Sequence, residues 1–160
     1  MHPRKLYTNL SECKDSRERA AEALGFLRDA SGAEAGYLLL WRSGELVLVA
    51  SSQGQDMPPT ILEKARAQWE READTQPESD LTRTIEAATV IATPETPRWD
   101  GPRGERYEPR FLGIYRDSQW VPVGMAVLRV PQSGSLSPLR RAYFDALCNA
   151  FIDADDVSVS

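Results

Sequence analysis

The stretch Phe111–Val130, FLGIYRDSQWVPVGMAVLRV, constrains this chain more than any other. Two long apolar runs flank a polar turn at Asp117-Ser118-Gln119, the pattern of an antiparallel hairpin. Pro122 near the start of the second run means that its missing backbone donor is not needed for pairing. Gly124 in mid-strand marks a bulge, or another group approaching the backbone closely. The helical pattern from about Ser135 to Phe151 closes this hairpin, with Ser135 or Ser137 as N-cap and Pro138 in the first turn. Leu139, Tyr143, Ala146, Leu147, Ala150 and Phe151 form its apolar stripe.

The rest of the chain supplies partners for that hairpin. Residues 1–10 are polar and contain Pro3, which predicts a loose lead-in. A helix is expected from Ser11 as N-cap to Gly32 as a left-handed terminator, with Ala20, Ala23, Leu24, Leu27 and Ala30 on one face. YLLLW at Tyr37–Trp41 reads as a buried strand, and LVLVA at Leu46–Ala50 as its hairpin mate across Arg42-Ser43-Gly44-Glu45. Pro58-Pro59 opens a helix whose face carries Ile61, Leu62, Ala65 and Trp69. Residues 72–84 read as an exposed loop, and residues 85–92 hold a short edge strand at ATVIA. The segment 93–109, TPETPRWDGPRGERYEP, is rich in proline and reads as a lid packed through Trp99 and Tyr107. Residues 153–160 read as a flexible tail. One domain, 11–152, accounts for the pattern between lead-in and tail.

Composition narrows the classes of function. No run of about 18 apolar residues is present, so no membrane span is expected, and the N-terminal stretch lacks the apolar core of a secretory signal. The formal net charge of −5, with basic residues scattered, argues against nucleic acid or anionic lipid as a partner. Cys13 and Cys148 read as isolated thiols of a cytoplasmic protein. Lysine occurs only at Lys5, Lys14 and Lys64, an arginine bias that suggests a GC-rich genome.

Helix, hairpin, helix, lid, long hairpin and closing helix is the order of a GAF domain. ASGAEAGYLLLWRSGELVLVASSQG resembles that family's first helix end and first hairpin, and FLGIYRDSQWVPVGMAVLRV resembles its late hairpin. LSPLRRAYFDALCNAF resembles its closing helix. The resemblance implies an α+β fold: an antiparallel sheet of five or six strands, terminal helices on one face, and the middle helix with the lid on the other. It further implies a small-molecule pocket on the second face and pairing of the terminal helices. Leu24, Leu27, Tyr143 and Leu147 are the residues expected at such a dimer or partner surface.

The residues themselves exclude several chemistries of that family. The one histidine, His2, and two cysteines in terminal helices do not fit covalent chromophore attachment or thiol catalysis. Neither metal binding nor a phosphate loop has its ligand pattern, and no cofactor is expected. The Asn-Lys-Phe-Asp-Glu set of cyclic-nucleotide binders is absent. What stays open is a pocket lined by Trp99, Arg106, Tyr107, Arg110, Phe111, Gly113 and Tyr115, with Trp69, Trp120 and Arg98 nearby and Gly113 leaving room between two rings; the alternative is that these aromatics simply fill the core and anchor the lid. The expectation is a non-enzymatic sensor or regulatory domain of bacterial signalling that binds a small molecule or partner. Ligand-free dimerisation or protein interaction is the alternative.

Overall fold

The computed structural model describes residues 2–54, 56–72, 98–132 and 134–157, with the backbone alone at 53 and 72. In chain order the elements are α1 (Pro3–Ser11), α2 (Ser16–Ser31), β1 (Ala35–Arg42), β2 (Glu45–Ser51) and α3 (Pro59–Glu72). Then come β3 (Trp99–Asp100), β4 (Arg106–Arg116), β5 (Gln119–Arg129) and α4 (Arg141–Asp153). The chain is α+β: five strands form an antiparallel sheet in the order β2-β1-β5-β4-β3, with four α-helices among the described residues. The loop expected at 72–84 (from 73 on), the edge strand at 85–92 and the lid residues 93–97 lie outside the described residues.

Two tight turns set the pairing. Asp117 and Ser118 take φ of 52° and 66°, and Ser43 and Gly44 take 51° and 82°. Positive φ at both central residues gives the hairpin twist that matches right-handed strands. The β4–β5 ladder is irregular between Leu112 and Gly113, where β5 carries an extra residue and Pro122 stands opposite Gly113. Gly124 pairs with Leu40 of β1, and a Cβ there would collide with the Leu39 carbonyl oxygen. Close approach of two backbones is therefore what this glycine serves.

Strand alternation divides the core in two. Leu38, Leu40, Leu112, Ile114, Ala126 and Leu128 face α1, α2 and α4, whose Leu10, Leu24, Leu27, Phe144, Leu147 and Phe151 bury against them. Tyr37, Leu39, Met125 and Val127 face α3, which contributes Ile61, Ala65 and Trp69. The expected split, with terminal helices on one face and the middle helix on the other, is the observed one.

The helix starts differ from expectation. Residues 3–11 form α1, with Leu6 and Leu10 at 3% and 1% exposure, where a loose lead-in was expected. His2 caps it, its Nδ1 accepting from the Arg4 amide at 3.1 Å. Ser11 ends that helix and does not cap the next. Asp15 caps α2 by accepting from the Glu18 amide (2.8 Å), while the Glu18 carboxylate accepts from the Lys14 amide (2.7 Å). Gly32 terminates α2 at φ 79° as expected. Neither Ser135 nor Ser137 caps α4, which starts after Arg140 without a side-chain cap. The Ser137 amide instead donates to the Ser31 carbonyl at 2.8 Å, so the segment before α4 is docked on the end of α2 with Leu136 and Leu139 buried. Past α4 the chain is also held: Asp156 and Val157 are buried, and Arg19 Nη1 meets Asp156 Oδ2 at 2.6 Å.

Candidate functional site

The lid expected through residue 109 is a hairpin over its described part. Trp99 pairs with Tyr107 and Asp100 with Arg106. Gly101 and Glu105 close the turn through a 2.7 Å amide-to-carbonyl bond. Pro109 lies inside β4 opposite Val127, beyond the two residues of β3, where an unavailable donor costs no described ladder bond.

On the α3 face the floor of the long hairpin is filled. Trp69 stacks on Trp41 (5.2 Å between centroids) and on Phe111 (5.3 Å, planes 4° apart), giving a three-ring stack. The Trp120 ring covers Gly113: a Cβ at Gly113 would sit 2.5 Å from its Cζ2. Tyr115 packs at 5.4 Å from the same indole. The room expected between Phe111 and Tyr115 is thus occupied by Trp120, and Gly113 serves packing.

Arg110 lies on the opposite face from Phe111 by alternation. It is 6% exposed, and its Nη2 stands 3.6 Å from Glu108 Oε2, while Nη1 donates to the Pro109 carbonyl at 3.2 Å. Arg98 Nε holds the other oxygen of Glu108 at 3.0 Å. Burial lowers the Arg110 pKa, with Glu108 opposing the shift. Arg110 is therefore a buried cation held by Glu108 and the Pro109 carbonyl. Arg106 is exposed and lines a hollow of about 200 Å³ with Glu34 and Arg129.

Open space lies at the other end of the α3 face. A cavity of about 480 Å³ is bounded by Tyr37, Tyr107 and Arg129 from the sheet, Asp56, Pro58 and Pro59 before and at the start of α3, and Pro102, Arg103 and Glu105 from the β3–β4 turn. The register explains the grouping: Arg129 of β5 pairs with Tyr107 of β4 and with Ala35 of β1, two residues from Tyr37. The Tyr37 hydroxyl donates to the Asp56 carbonyl at 3.4 Å, and the two phenol rings lie 6.1 Å apart. Burial raises both phenol pKa values, that of Tyr107 to about 12. Both are neutral hydroxyls at physiological pH. Arg129 Nε is 3.5 Å from Glu34 Oε2, and Glu105 Oε1 turns back to accept from the Arg103 amide at 3.4 Å.

Of the expected pocket residues, only Tyr107 reaches this cavity. Trp99 is buried in the core beside it, and Phe111, Gly113 and Tyr115 belong to the filled floor. Tyr37, Asp56, Arg103 and Arg129 were not among the expected pocket residues, although Pro58-Pro59 and the proline-rich 93–109 marked two of the segments that carry them. Among the expected partner-surface residues, Leu24, Leu27 and Leu147 are core, at 3%, 1% and 0% exposure; Tyr143 packs on Phe26 at 5.3 Å.

Among the described residues no group of three His, Cys, Asp or Glu side chains is placed to hold a metal ion, and no helix is long and apolar enough to cross a membrane. Burial pushes the Cys148 thiol up strongly, and burial followed by Glu18 pushes Cys13 up, the opposite of what a thiolate nucleophile requires. No family profile matches this sequence, and no curated protein is significantly similar to it.

Proposed function

We propose that this chain is a non-enzymatic, GAF-like sensor or regulatory domain of bacterial signalling that binds a small molecule and acts through its terminal helices. The observation that carries this reading is the cavity of about 480 Å³ at Tyr37, Tyr107 and Arg129, on the face away from the terminal helices. Its size falls within the range of ligand pockets, and it combines ring faces with a few charged groups that can fix orientation. The element order and the two-faced cover of the sheet support the GAF-like assignment. The Arg129 carbonyl accepts from the Glu34 amide just past α2, so occupancy has a short route to a terminal helix.

Native mass spectrometry of protein purified from its own host tests this. The expected result is a co-purifying compound, lost on substituting Tyr107→Trp, whose larger ring intrudes on the cavity at its wall. A ligand-free protein whose melting temperature no metabolite fraction shifts would count against it. In that case the second reading, a ligand-free dimerisation or interaction module, gains; it is favoured by the filled floor under Trp120.

A further inference from the structure

We infer that the Tyr37–Tyr107 cavity takes a small zwitterion with a ring or other apolar side group, its carboxylate on Arg129 and Arg103 and its ammonium on Asp56. This rests on the reading of the cavity as a ligand site and names the class of ligand. The charged groups around the cavity and the adjoining hollow balance: Arg103, Arg106 and Arg129 against Glu34, Asp56 and Glu105. A polyanion would meet three carboxylates and a polycation three guanidinium groups, so either is disfavoured. The phenols of Tyr37 and Tyr107 are neutral and add hydrogen-bonding capacity without charge.

The charges are also separated in function. Glu105 is engaged within its own turn, folded over Gly101 with one oxygen on the Arg103 amide. Glu34 faces Arg129 at 3.5 Å, a distance that leaves the pair weak, and both side chains are over a third exposed. Arg129 therefore has a carboxylate neighbour that an incoming carboxylate can displace. Asp56 is exposed, and its backbone carbonyl is tethered by the Tyr37 hydroxyl, which holds it at the cavity wall. Tyr37, Tyr107, Pro58, Pro59 and Pro102 supply ring and pyrrolidine faces for an apolar group.

The test is titration calorimetry with L-phenylalanine, N-acetyl-L-phenylalanine (carboxylate only) and L-phenylalanine methyl ester (ammonium only). The free amino acid is expected to bind at least about tenfold more tightly than either derivative, since each lacks one charge-assisted contact. Arg129→Gln should weaken L-phenylalanine about tenfold, whereas Glu34→Gln, which removes the competing carboxylate, should strengthen it. Asp56→Asn should erase the preference over the N-acetyl form. Thermal melts of each variant confirm folding. Equal or tighter binding of the N-acetyl form makes this an anion site, and of the ester a cation site; either overturns the zwitterion while the small-molecule reading stands. If none of the three binds, the zwitterion inference fails. The small-molecule reading fails with it only when the host-purified protein also carries no compound.

Discussion

A methyl group added at Gly124 would run into the Leu39 carbonyl oxygen, which cannot retreat without opening the β1–β5 ladder. Gly124→Ala is therefore expected to cost about 3 kcal/mol, the upper end of ordinary overpacking. Gly25 sits inside α2, and a methyl group added there would meet nothing within 4 Å, so Gly25→Ala should stabilise by up to about 1 kcal/mol through helix propensity. Urea unfolding of the two variants measures the contrast, and equal stabilities would contradict it. Tyr107 provides a second residue-scale expectation. Its folded pKa of about 12 exceeds the usual value of about 10 because burial disfavours the phenolate. The neutral phenol thus contributes stability in full below about pH 10, and that contribution is lost as pH rises to about 12. Tyr107→Phe should flatten the decline in denaturation midpoint between those pH values; an unchanged decline would assign it to other groups.

Among the elements, α3 depends most on one side chain. Trp69 is 3% exposed and stacked on both Trp41 and Phe111, so Trp69→Ala should cost about 4 kcal/mol and release α3 from the sheet. Thermal melting followed by far-ultraviolet dichroism reads both; a loss under about 1 kcal/mol would show that neither the stack nor the buried area of this ring holds α3 in place. Strands β1, β2, β4 and β5 and helix α3 were legible in the sequence because their apolar runs are long and their periods distinct, whereas β3, two residues inside a proline-rich segment, was read as part of a lid. YLLLW, LVLVA and FLGIYR are each dense enough in apolar side chains to signal a strand by themselves. PRKLYTNLS does not, since Leu6 and Leu10 are its only buried residues and a helix of nine residues is marginal alone. Packing of α1 against the rest of the molecule, which no local pattern reports, makes it a helix. The candidate site was hidden for a related reason. Tyr37, Asp56, Arg103 and Arg129 come from four separate segments, and only the strand register and the turn geometry bring them together.

At the scale of the whole molecule, Arg19 joins parts of the chain that sequence separation keeps far apart. Its Nη1 meets Asp156 Oδ2 at 2.6 Å, its Nε donates to the Leu10 carbonyl at 2.9 Å, and its Nη2 reaches the Cys13 carbonyl at 3.4 Å. Arg42 at the end of β1 completes the junction by donating from Nε to the Asp156 carbonyl at 2.7 Å. One guanidinium therefore ties the α1–α2 connection to the chain beyond α4, and Asp156 extends the tie to the first hairpin. The pair is nearly dry, with side-chain exposures of 9% and 6%, so removing one member strands the other without water. Asp156→Ala is expected to cost about 3 kcal/mol and to speed amide hydrogen exchange in α1, whose carbonyl at Leu10 is held by the same arginine. Replacing both members by apolar groups, Arg19→Met with Asp156→Leu, should recover most of the stability, because the desolvation of both charges is removed with their attraction. It should not recover the slow exchange of α1, because a thioether has no donor to offer the Leu10 and Cys13 carbonyls. Recovery of stability together with protection would mean that apolar packing at this junction, and not the guanidinium, holds the first helix in place.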